Sequence, residues 1–212
     1  LLSAPNVEIL RPQLSLDNQG KVYCGWLETG ANASSLKVNC VNNDLEAAWG
    51  QGISLCSSNT GAIEYSLQSG STGLMAHCQY STLEEKKLTM QVLNPQGVPQ
   101  FGDAGTTLAT AKTGYAYPTA IQPMGDRSIV FYFDENEEHE YALCYQIISA
   151  DGYPVLPQPV VMGGYDTNPN FYTSCSWSGE NVMVVYSLGN ISYMQLISYW
   201  GDYGLISPGM LI

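Results

Sequence analysis

The 212-residue chain carries nineteen Asp and Glu against seven Lys and Arg, a net charge of −12, and is 45% hydrophobic and 12% charged. That balance excludes a disordered chain and, with no cluster of cations to meet phosphates, a nucleic-acid binder. No run of 18 apolar residues occurs, so no helical membrane insertion is expected, and the acidic charge reads first as a solubility device that also repels anionic membranes.

Residues 1–10 open the chain without a basic region and cleavage site, as in a mature form or a fragment. Within them, Asn6–Leu10 reads as a closing strand or as the leftover of a longer array. A first unit, residues 11–56, reads as four short strands: PQLSL, KVYCGWL, SLKVNCV and GISLC, separated by DNQG, ETGANA and NNDLEAAWGQ. The second unit, 63–108, contains GLMAHCQY, LTMQVLN and FGDAGTTL. In the third, 117–162, the matching stretches are SIVFYF, LCYQIIS and LPQPVVM; in the fourth, 171–212, they are NVMVVY, YMQLIS and ISPGMLI. Asn18-Gln19-Gly20, Ser69-Gly70-Ser71, Met124-Gly125-Asp126 and Ser178-Gly179-Glu180 mark the same first-to-second-strand turn, where glycine supplies the backbone that tight hairpins need.

Trp26, Tyr80, Phe133 and Tyr186 recur at steps of 54, 53 and 53 residues, and Gln91, Gln146 and Gln195 share a position that Asn39 fills in the first unit. Short strands with regular turn signals predict an all-β chain. A fixed period predicts stacked units that bury their apolar faces on one another. The expected fold is therefore a single all-β domain, a β-propeller-like array of four repeats of about 53 residues with four antiparallel strands each. An open array or a sandwich is the alternative, as is half of a larger ring completed by another chain.

An aromatic second strand, a Y/M-x-Q-hydrophobic third strand and a following G…WG…G resemble the propeller-like repeats, roughly fifty residues long, of secreted bacterial surface proteins. The matching residues are Trp26, Gln91, Gly97, Phe101-Gly102, Gly105, Tyr145, Gln146 and Trp49-Gly50. The chain departs from that pattern in lacking W-x-D-x-R in the second strands, where WLET, YSTL, FDEN and YSLG stand. The resemblance implies an extracellular or cell-surface (or periplasmic) part used for binding, adhesion or assembly.

In a propeller, the loops between units and the second-to-third-strand tips share one face. Tyr115, Tyr117, Tyr165, Asp166, Asn168 and Asn170 are therefore the candidate ligand-binding residues, their rings and amides suited to a glycan or a peptide backbone. Packing between blades and turn capping is the competing role for these residues. In the acidic tip Asp134–Glu140, the alternating Asp134, Asn136 and Glu138 suggest oxygen ligands for calcium, but the glycine and spacing of a calcium loop are missing, and a solvated tip is the expectation. No cofactor is expected.

His77 and Cys78 adjoin in a strand and so point to opposite faces, which denies them a catalytic dyad. No nucleophile-elbow, zinc-protease or phosphate-loop motif occurs. Six cysteines without a C-x-x-C pair leave both disulfides and buried thiols open. Together with low lysine and the triplets Asn32-Ala33-Ser34 and Asn190-Ile191-Ser192, they lean towards export. The expected function is a non-catalytic extracellular binding or assembly module for a protein partner or a glycan. A stand-alone lectin and a glycoside-active propeller are the alternatives.

Overall fold

The computed structural model describes residues 7–30, 33–42, 44–58, 63–70, 73–81, 85–111, 116–167, 172–205 and 209–212. Every regular element among them is a β-strand. β1 (Glu8–Leu16), β2 (Val22–Thr29), β3 (Ser34–Val41) and β4 (Ile53–Ser58) form one sheet in chain order. So do β5 (Glu64–Gly70), β6 (Gly73–Ser81), β7 (Lys86–Leu93) and β8 (Thr106–Ala111), and likewise β9 (Ala116–Met124), β10 (Arg127–Glu135), β11 (Tyr141–Ser149) and β12 (Val160–Asp166). The fourth sheet is β13 (Thr173–Trp177), β14 (Asn181–Leu188), β15 (Ile191–Ser198) and β16 (Met210–Leu211). The chain is thus all-β, with four four-stranded antiparallel sheets, as the repeat predicts.

The sheets fall into two compact units, residues 1–110 and 111–212. In the first unit, Tyr23 and Leu27 of β2 and Leu36, Val38 and Cys40 of β3 pack on Tyr65, Leu67, Leu74, Ala76 and Cys78 of the second sheet. Gly25 makes room for this packing, since a side-chain carbon there would lie 2.5 Å from Leu67 Cδ1. In the second unit, Ile129, Phe131 and Phe133 of β10 and Leu143, Tyr145 and Ile147 of β11 meet Val182, Val184 and Tyr186 of β14. Burial of these alternate positions is the main stabilising term for each unit, at roughly 25 cal/mol per Å² of apolar surface.

Two details of register differ from the sequence reading. Glu8, Ile9 and Leu10 do not precede the first strand; they are its start, paired with Thr29, Glu28 and Leu27. A register shift between Leu10 and Gln13 separates them from the rest of β1, and it falls at Pro12, which has no N–H to give to a ladder. Nor do Tyr80 and Phe133 share the Trp26 position. The partners of Asn39, Gln91, Gln146 and Gln195 are Cys24, Ala76, Val130 and Val184. Two residues on from these, Trp26, Cys78, Tyr132 and Tyr186 are the equivalent set. The second hairpin varies in length, from Asn136–Glu140 in one repeat to Gly189-Asn190 in another, so counting from residues near its tip drifts.

The recurring amide has a structural role. Oδ1 of Asn39 accepts the N–H of Cys40 and of Trp49, while Nδ2 donates to the Gly50 carbonyl at 3.0 Å. Gln91 does the same for Val92, Phe101 and Gly102. Gln146 serves Ile147 and Leu156, and Gln195 serves Leu196 and Leu205. In every repeat a buried third-strand amide therefore clamps the loop that leads to the fourth strand.

Candidate ligand-binding rim on the third sheet

Tyr115, Asn168 and Asn170 lie outside the described residues. Tyr117, Tyr165 and Asp166 all belong to the third sheet. Its register pairs Ala116 with Asp134, Asp134 with Ala142, and Tyr141 with Asp166. Tyr117 on β9 and Tyr165-Asp166 on β12 accordingly occupy the same end of the sheet, on its two outer strands, the end that also carries the β10–β11 tip.

Tyr117 is half-buried, its ring 6.1 Å from that of Tyr141 at an interplanar angle of 49°. Tyr165 is 40% exposed and donates its hydroxyl to Asp134 Oδ2 at 3.0 Å. Burial raises the Asp134 carboxyl above its ordinary range, and the Tyr165 hydrogen bond opposes that shift. Burial, followed by the charge of Asp134, pushes the Tyr165 phenol up in turn, so it stays a neutral donor at physiological pH. Asp166 turns its carboxylate over the β14–β15 hairpin, where a side-chain carbon on Gly189 would lie 2.9 Å from Oδ2. The rim thus offers one partly exposed phenol ring beside two carboxylates.

Glu135 follows Asp134 and points to the other face. Its Oε1 lies 2.7 Å from His139 Nδ1. Its Oε2 is buried without a hydrogen-bond partner among the described residues. In the tip itself, Asn136 Oδ1 accepts the N–H groups of Glu138 and Glu140 at 3.0 and 2.9 Å, which commits that oxygen to the turn. No group of three or more His, Cys, Asp or Glu among the described residues is arranged to hold a metal ion.

His77 is fully buried, with neither ring nitrogen hydrogen-bonded among the described residues, and burial pushes its pKa down to about 3. It is a neutral ring, opposite in face to Cys78, which belongs to the core of the first unit.

Sequence reasoning missed a cluster at the other end of the third sheet. The Arg127 guanidinium lies 4.3 Å from the Tyr199 ring centroid and 4.4 Å from that of Trp200, and Tyr199 donates its hydroxyl to Asp126. Trp177 stands 6.4 Å from Tyr199, and Trp200 is 64% exposed. Arg127 is one of two arginines in the chain. That scarcity, with Tyr-Trp one repeat later, was the signal available.

No protein-family model matches the chain, and no curated protein matches it in sequence. Solved structures that share its fold include two with TM-scores of 0.50 or above. The polysaccharide lyase Uly1 superposes with a TM-score of 0.55 at 10% identity, over 97% of this chain and 49% of the lyase. The acylaminoacyl peptidase of Pyrococcus horikoshii superposes at 0.50 and 9% identity, over 95% of this chain and 32% of the peptidase. The chain spans about half the length of the first and about a third of the second. At such identities the likeness concerns the fold alone.

Proposed function

We propose that this chain is a non-catalytic binding module, exported and used at the cell surface or beyond it, which engages a protein partner or a glycan through the rim of the third sheet. The carrying observation is the half-exposed Tyr165 ring, fixed by its bond to Asp134 and flanked by Asp166. A fixed aromatic face beside carboxylate acceptors suits a sugar ring or a peptide backbone. Resemblance to secreted bacterial surface repeats supports export, as does Asn190, exposed in a hairpin turn within an Asn-x-Ser triplet.

The glycan reading draws support from the ring-plus-carboxylate chemistry, and the lyase among the fold neighbours adds only that such a fold occurs in a carbohydrate-active protein. Affinity capture from the native source, run beside a glycan array, tests the proposal. Wild type should retain one protein or one glycan class, and Tyr165→Ala should lower that binding at least tenfold while the variant still unfolds cooperatively, only a few degrees below wild type. Equal binding by the variant would overturn the rim. Turnover of a polysaccharide by the purified chain would overturn the non-catalytic reading.

A further inference from the structure

All six cysteines are free thiols, and two of them differ from the others in what they face. Cys56 lies on β4 at the edge of the first sheet, opposite Leu36, and Cys78 lies on β6 inside the second sheet, opposite Tyr65 and Thr89. They come from different sheets of one compact unit, yet their sulfurs are 3.1 Å apart. That is about 1 Å beyond a disulfide bond of ~2.05 Å. Cys24 and Cys40 instead spend their thiols on the carbonyls of Asn39 and Val41, at 3.7 and 3.9 Å.

We propose that Cys56 and Cys78 are a dithiol site that closes to a disulfide by exchange with a disulfide reagent, whether a small molecule or a protein. Cys56 is partly exposed and takes the reagent first: its sulfur attacks one sulfur of the incoming disulfide and releases one thiolate. Cys78 is buried behind it, and its sulfur then attacks Cys56 Sγ and displaces the reagent's second thiolate. One disulfide is reduced to two thiols, one is formed in the protein, and the two cysteine protons end on the released thiolates. The hydrogen bond it shares with Cys56 brings the Cys78 thiol below its ordinary range, opposed by burial and helped by Thr89 at 3.5 Å. The same bond, followed by burial, raises Cys56. The proton held between the two sulfurs therefore passes from Cys56 to Cys78 as Cys56 attacks, and Cys78 gives it to the released thiolate before it resolves.

Closure would tie an edge strand of the first sheet to a strand of the second across a sequence separation of 22 residues, which constrains the unfolded chain. The test incubates the reduced native chain with oxidised glutathione and maps its peptides without reduction. The expected result is loss of two hydrogens, a Cys56–Cys78 linked peptide ahead of any other pairing, and a melting temperature higher by roughly 5 °C or more. Cys56→Ser should abolish both changes; the wild-type peptide map stands alone if that variant folds poorly. Glutathione retained on Cys56 without closure, thiols left unchanged, or preferential linkage of other cysteines would overturn the site.

Discussion

The side chain of Gln146 and the backbone of Leu156 exchange a reciprocal pair of hydrogen bonds: the Leu156 N–H donates to Oε1 at 3.2 Å, and Nε2 donates to the Leu156 carbonyl at 3.1 Å. A third bond, from the Ile147 N–H to the same Oε1 at 2.8 Å, holds the amide in its own strand. Gln195 and Leu205 repeat the arrangement at 3.0 and 3.2 Å. One side chain thereby satisfies backbone groups that a loop crossing from the third to the fourth strand would otherwise leave unpaired.

Gln146→Ala removes all three bonds at a buried position and should cost about 2–3 kcal/mol, at roughly 1 kcal/mol per net hydrogen bond. Gln195→Ala should cost a similar amount. Gln146→Glu keeps the acceptor but sets a carboxylate oxygen against the Leu156 carbonyl, so it should not restore stability. Urea denaturation checks all three, and a loss below about 0.5 kcal/mol for both alanine variants would show that the clamp is dispensable.

Gly105 tests a second recurring position, the residue just before the fourth strand. It has φ +70°, and a side-chain carbon there would lie 2.5 Å from the Met90 carbonyl oxygen. Gly125 has φ +69° and nothing within 4 Å. Both alanine variants carry the left-handed backbone penalty of about 1–2 kcal/mol, but only Gly105→Ala also forces β7 to move. The expected order is a melting temperature well below wild type for Gly105→Ala and a small loss for Gly125→Ala. Equal losses would mean that the close approach to β7 carries no weight.

His77 sets an acid limit. Its folded pKa is lowered to about 3 by burial, while an unfolded histidine titrates near its ordinary 6.5. Below pH 6.5 the unfolded chain therefore binds a proton that the folded chain refuses, and stability falls as the pH drops from about 6.5 towards 3. At pH 5 the loss should be about 2 kcal/mol, at 1.36 kcal/mol per pH unit. Unfolding at pH 7.5 and pH 5 should show this loss in wild type and a smaller one in His77→Leu. An unchanged acid loss in the variant would assign the effect to other groups.

The periodic features of this chain were legible because each follows from a local rule. The amides at 39, 91, 146 and 195 recur since every repeat needs the same loop held, and the strand bounds follow from turn residues such as Asn18-Gln19-Gly20. What hairpin length disturbs was hidden: Trp26 is equivalent to Cys78 and Tyr132, a match that similarity of side chains cannot suggest. Contacts between sheets were also hidden, because nothing local brings Cys56 to Cys78 or Arg127 to Trp200. Of the rim, the common end of Tyr117, Tyr165 and Asp166 follows from strand topology. The bond that fixes Tyr165 depends on Asp134, a residue the acidic tip made look like a solvated charge or a calcium ligand.

Tyr165→Phe isolates that bond. The ring keeps its place, but Asp134 loses the donor that opposed the effect of its burial, so its pKa should climb further above the ordinary carboxylate range. A carboxyl whose folded pKa is raised penalises the folded state when ionised, and the penalty is relieved as falling pH protonates it. The variant should therefore be less stable than wild type at pH 7, by about 1 kcal/mol once the exposure of Tyr165 is discounted. The gap should narrow towards pH 4 as Asp134 takes a proton in both chains. Paired denaturation curves at the two pH values measure it. A gap that widens in acid would mean that Asp134 is held ionised by some group other than Tyr165, and the rim's fixed aromatic face would lose its anchor.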